Sequence, residues 1–139
     1  MALALLWLSS QAIRFRWLFL PLEAKKLLFS MAVTEGLSKS GEALKLEFID
    51  IRRAFFHAEA RRDVYVELPE EDWEEGKCAK LEQSLYGTRD APQNWEYAYS
   101  KYFVEVMGFT GGISSPCVFE HSEKDVRVVV HGDDLTALG

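Results

Sequence analysis

Val126-Arg127-Val128-Val129-Val130-His131-Gly132-Asp133-Asp134-Leu135-Thr136-Ala137-Leu138 holds two apolar runs separated by glycine and two aspartates. The β-branched and apolar residues predict strands over Val126–His131 and Leu135–Leu138. Gly132–Asp134 predicts the turn between them, giving a hairpin with both aspartates at its tip. Just upstream, Cys117–Glu120 predicts another strand, set off by a turn over Ser122–Asp125. This end of the chain is therefore read as antiparallel sheet.

Moving outward, a second carboxylate ends an apolar run in Leu44-Lys45-Leu46-Glu47-Phe48-Ile49-Asp50-Ile51. The alternation predicts a strand over Leu44–Ile51, buried on both faces near Phe48 and Ile49. Asp50 shares the face of Leu46 and Phe48. An unpaired buried carboxylate is costly, so Asp50 lies at an exposed strand end or meets a cation. Residues 52–58 predict a short helical turn. Asp63–Leu68 predicts a strand closed by Pro69, and Cys78–Leu85 its partner. Two helices complete the reading. One spans Leu22–Val33, with Pro21 in its first turn and Gly36 as its terminator. It carries Ala24, Leu27, Leu28, Met31 and Ala32 on one face. The other starts at Asp90 or Ala91, accepts Pro92 in its first turn and stops at Gly108. Trp95, Tyr99, Tyr102, Phe103 and Val106 form its aromatic face, which reads as core. The fold class is α+β, a small antiparallel sheet packed on helices.

With 139 residues, 48% of them hydrophobic, the chain suits one domain with a modest core. The net charge of −6 is unevenly spread. Residues 1–62 hold ten basic and six acidic side chains, and residues 63–139 hold six and sixteen. The acidic run from Glu67 to Glu75 reads as a solvated turn. This balance opposes tight nucleic-acid binding by the chain alone. Cys78 and Cys117 have no metal-ligand spacing and read as free, partly buried thiols. That favours a cytoplasmic or nuclear location over a secreted one. Residues 1–20 form an apolar lead-in, but Ser9, Ser10, Gln11, Arg14 and Arg16 interrupt it. It falls short of the roughly 20 apolar residues of a stable membrane span. No basic residue precedes the apolar run, as a signal peptide would require.

Carboxylates from two neighbouring strands can hold hard divalent cations against phosphates. Aspartates in turns also serve structure, because their side chains satisfy turn amides. Residue type leaves both readings open.

Five segments in order resemble the reverse transcriptase of copia-type LTR retrotransposons. Asp50–Phe55 is similar to the first catalytic motif, Asp-x-x-x-Ala-Phe. Asp63–Pro69 looks like its continuation. Leu85-Tyr86-Gly87, Ala91-Pro92 and Trp95 resemble the Leu-Tyr-Gly-Leu-Lys-Gln-Ala-Pro-x-x-Trp signature. Pro116-Cys117-Val118-Phe119 resembles Pro-Cys-Val-Tyr, and His131–Asp134 stands in the place of Tyr-Val-Asp-Asp. The resemblance implies a partial fingers/palm domain over residues 21–139. It implies two Mg2+ ions, or Mn2+, held by Asp50 and Asp133 with support from Asp134. The implied chemistry is transfer of a nucleotide from a dNTP to a primer 3′-hydroxyl on an RNA or DNA template-primer. Phe55 becomes a gate under the incoming sugar, or plain core. Gly87 becomes a point of close backbone approach, or a turn glycine. Arg89 becomes a phosphate contact, or a solvated side chain. His131 and Gly132 replace Tyr and Val of the pattern, and Thr88 and Asp90 replace Leu and Gln. An acid at position 90 is unfavourable beside phosphate unless it caps the helix. Thumb, ribonuclease H and part of the fingers are missing, so an incomplete enzyme, weak or inactive alone, is expected. The alternative is a non-catalytic structural or binding remnant of a transposon polyprotein.

Overall fold

The structure, a computed structural model, describes residues 22–139. The apolar lead-in and Pro21 lie outside the described residues. Residues 22–34 are helical (α1). Strand β1 (Leu46–Asp50) follows, then a 3-10 turn at Ala54–His57. Short strands β2 (Tyr65–Val66) and β3 (Ala79–Lys80) pair across the acidic turn. Helix α2 (Ala91–Lys101) leads to β4 (Thr110–Gly111), β5 (Val118–His121), β6 (Val126–His131) and β7 (Asp134–Leu138). Five strands form one antiparallel sheet in the order β1-β7-β6-β5-β4. The architecture is α+β, as the sequence predicts.

Each face of the sheet carries its own core. Val128, Val130 and Phe119 meet Trp95, Tyr99 and Phe103 of the α2 segment on one side. Val129 and Leu138 meet Leu28 of α1 on the other. Alternation within β6 decides this, because successive side chains point to opposite faces. Residues directly opposite one another share a face, so Asp50, opposite Asp134, lies on the α1 side.

Several expectations need correction. β1 is shorter than Leu44–Ile51, and Phe48 is 69% exposed. Among the described residues its ring neighbour is Phe29, at 6.0 Å between centroids, and β1 is the edge strand. An apolar dipeptide reports willingness to be buried, but a covering layer must also be present. After Lys101, α2 widens into a π-type turn over Tyr102–Val106. A wider turn shifts the phase of the side chains that follow it. Phe103 stays buried, while Tyr102 and Val106 face solvent. On α1, Leu28 is buried but Leu27 is exposed. Cys117 is buried as expected, whereas Cys78 is exposed. The two-residue strand β4 was too short to leave a periodic signal.

An ion-pair cluster fastens the end of the sheet away from the aspartate tip. Asp125 is buried at a φ of 54°. It accepts the Lys39 backbone N–H at 2.8 Å and lies 3.3 Å from the Arg127 guanidinium. The Lys39 N–H, above all, holds its carboxyl below the usual carboxylate range. A depressed native pKa contributes stability above the unfolded value, near pH 4, and loses it as pH falls through the native value. The urea midpoint should therefore fall more steeply below about pH 4 in the wild type than in Asp125→Asn. Asparagine tolerates the left-handed backbone, so the variant removes only the charge. Parallel pH profiles for the two proteins would rule out this role for Asp125.

Candidate metal centre

The site is assembled by register. β1 ends at Asp50 and β7 begins at Asp134, and the two residues are paired. His131 pairs with Asp134 across the β6–β7 hairpin, leaving Gly132 and Asp133 as its two-residue loop. Gly132 has φ +65°, and Asp133 is not among the residues with positive φ. Those signs match a II′ turn, whose first central position favours glycine and whose twist suits a hairpin. The replacement of Val by Gly in the motif thus has a local conformational reason.

Two hydrogen bonds hold the loop from outside the hairpin. The Ile51 N–H donates to the Asp133 carbonyl at 2.8 Å, extending the β1–β7 ladder past Asp50. The Trp95 indole N–H donates to the Gly132 carbonyl at 2.7 Å. Trp95 therefore both fills the core and anchors the loop; the sequence pattern yields only the first role.

Asp50, Asp133 and Asp134 each offer a carboxylate oxygen, and these three atoms lie within 4.8 Å of one another. Among the described residues no other group of three or more His, Cys, Asp or Glu comes so close together. All three are exposed, and none is paired with a described cationic side chain. The donors are hard oxygens, as Mg2+ and Mn2+ prefer. Their open side leaves coordination positions for phosphate and water. The residues fit a divalent cation.

The remaining site candidates surround this tip at different removes. Phe55 sits in the 3-10 turn after β1, half-buried against the core, with its ring 4.4 Å from that of Tyr86. With Trp95, His131 and Gly132 it lines a cavity of about 160 Å³ beneath the hairpin loop. Core residue and cavity wall are thus one side chain. Gly87 has φ +90° and open space where a Cβ would stand. Arg89 is exposed and has no ion pair among the described residues, and no contact brings it to the three aspartates.

Asp90 precedes α2 but makes no side-chain capping bond to the helix backbone. Its carboxylate instead accepts the Arg62 guanidinium at 2.8 Å and the Asn94 amide at 3.3 Å. The Arg62 bond, foremost, holds Asp90 below the usual carboxylate range. The acid at this position is therefore compensated by a partner, not by a helix end. Asn94 also donates to the Ser84 hydroxyl at 3.0 Å, and the Ser84 N–H donates to the Ala58 carbonyl at 2.7 Å. This chain of bonds fixes the Tyr86–Gly87 loop against the segment that carries Phe55. Nothing in the local sequence announces it. Burial pushes the Cys117 thiol up, which makes it a poor nucleophile.

Comparison with known proteins gives a consistent result. The family model described as "Reverse transcriptase (RNA-dependent DNA polymerase)" matches residues 18–139. The chain is 30% identical over 102 residues to the Retrovirus-related Pol polyprotein from transposon TNT 1-94 of Nicotiana tabacum, covering 69% of this chain and 8% of that protein. It is 28% identical over 87 residues to the Transposon Ty1-MR1 Gag-Pol polyprotein of Saccharomyces cerevisiae, covering 63% of this chain and 5% of that one. The chain thus spans less than a tenth of the length of either relative. No solved structure matches it.

Proposed function

The chain belongs to the reverse transcriptase (RNA-dependent DNA polymerase) family, and on that premise we propose that it is a fingers/palm fragment of a copia-type retrotransposon polymerase. Its ancestral reaction is template-directed transfer of a dNMP to a primer 3′-hydroxyl. The observation that carries this reading is the convergence, within 4.8 Å, of carboxylate oxygens from Asp50 and Asp134 on paired strands and from Asp133 in the adjoining hairpin loop. Asp50 and Asp133 are the principal metal ligands and Asp134 supports them. Two Mg2+ ions, or Mn2+, held there would lower the pKa of the primer hydroxyl and neutralise the leaving pyrophosphate. Phe55 lies under the incoming sugar, where its bulk disfavours a ribose 2′-hydroxyl. Gly87 lets the backbone approach the nucleotide, and Arg89 contacts phosphate. The partners are an RNA or DNA template-primer and dNTPs. Among the described residues no helix is long and apolar enough to cross a membrane.

The chain alone should be a feeble polymerase. A duplex grip needs cationic side chains along the phosphates, and this chain carries a net charge of −6. In primer extension with a labelled primer on an RNA template, we expect faint product with Mg2+ or Mn2+, abolished by Asp133→Asn. Robust product lost in that variant would refute the feeble-alone reading. Product indistinguishable from that of Asp133→Asn under both cations would favour a structural remnant.

A further inference from the structure

One carboxylate on α2 belongs neither to the metal centre nor to an ion pair. Glu96 follows the buried Trp95 and stands three residues before Tyr99, a spacing that puts the two on one side of the helix. It is half-buried, and among the described residues it forms no hydrogen bond and no salt bridge. Burial pushes its carboxyl above the ordinary carboxylate range. A charge partly removed from water costs free energy until a partner meets it.

Glu96 lines the cavity of about 160 Å³ beneath the hairpin loop. Rings make most of the remaining wall, from Phe55, Trp95, Tyr99 and His131. Trp95 and Tyr99 meet at 68° with centroids 5.4 Å apart, so they form a corner, not a stack. No lysine or arginine lines the space. Burial, above all, also pushes the Tyr99 hydroxyl and the Cys117 thiol up, so both stay neutral near pH 7. Glu96 is then the one anionic group in the wall.

This combination selects among guests. An anion is repelled by Glu96. A neutral apolar guest fills the space and leaves the carboxylate dry and unpaired. A hard metal ion wants several oxygen ligands, and here a single carboxylate offers them. An alkylammonium ion suits both parts of the wall. Its charge meets Glu96, and its methyl groups lie on ring faces that attract cations. The size also agrees, because a cavity of about 150 Å³ holds a benzene-sized guest, and tetramethylammonium has similar bulk. We propose that this cavity binds a small, free alkylammonium ion, seated in the Trp95–Tyr99 corner with its charge against Glu96. The assignment does not rest on the polymerase reading.

The test is a ligand-observed NMR titration of the full chain, in EDTA near neutral pH, with tetramethylammonium chloride. tert-Butanol, a neutral guest of similar shape, is titrated in parallel. Tetramethylammonium should bind about tenfold more tightly than tert-butanol, and the isosteric Glu96→Gln should erase that difference, the loss of one charge-assisted contact. Trp95→Phe should weaken the cation by about threefold, because indole is the best ring for a cation. Tyr99→Phe keeps the ring and should bind as the wild type does. Asp133→Asn and Glu105→Gln, whose side chains do not line the cavity, should also leave binding unchanged. Undetectable tetramethylammonium binding, equal affinity for the two guests, or full affinity in Glu96→Gln would overturn the proposal. An equal loss in Asp133→Asn or Glu105→Gln would overturn it too, by assigning the cation to the acidic surface at large.

Discussion

Trp95→Ala should lower the stability of the chain by about 3–5 kcal/mol, the usual cost of emptying a large aromatic site. Trp95 is 9% exposed and stands edge-on to Tyr99, with ring centroids 5.4 Å apart. It also holds the aspartate loop through the Gly132 carbonyl. Trp95→Phe separates the two roles. It keeps an aromatic ring in the core and removes the donor. The carbonyl belongs to an exposed residue, so water can replace the indole, and the hydrogen-bond loss should be only about 0.5–1.5 kcal/mol. Cation binding at the loop should nevertheless weaken, because Asp133 and Asp134 follow the released carbonyl directly. Urea unfolding with and without Mn2+ measures both. A Trp95→Phe protein with unchanged cation response would mean that register alone positions the aspartates.

The second large effect is stabilisation by the cation itself. A ligand that binds only the folded state adds about 2.7 kcal/mol when present at a hundred times its dissociation constant. For a chain of this size that raises Tm by roughly 5–10 °C. The rise should occur with Mg2+ and Mn2+ and should vanish in Asp50→Asn and Asp133→Asn. Each substitution preserves shape while removing one anionic ligand. Asp63→Asn serves as the control, since it lies outside the triad and pairs with Lys80. Equal shifts in all four proteins would show that the cation acts on the acidic surface at large. The three aspartates would then be turn formers.

How much of this was legible in the chain varies with range. The β6–β7 hairpin could be read because strand alternation and a glycine-led turn are properties of adjacent residues. So could the start of α2, where Pro92 marks the first turn. The widened turn after Lys101 could not, because Tyr102 and Val106 keep helical spacing in the sequence and lose it only in three dimensions. The engagement of Asp90 by Arg62 bridges 28 positions and leaves no local trace. The exposure of Phe48 was also hidden, since burial depends on what lies across the edge strand.

By itself, the sequence determined the α+β class, the strand-ending Asp50, the hairpin bearing Asp133 and Asp134, and the family resemblance that the comparisons bear out. Each of those is written in neighbouring residues. Only the tertiary structure decided that β7 lies between β1 and β6, which brings Asp50 opposite Asp134 and all three carboxylates within 4.8 Å. It alone gave Trp95 its grip on Gly132. Strand order and register are settled by which faces can be buried together, and that choice belongs to the packed chain as a whole.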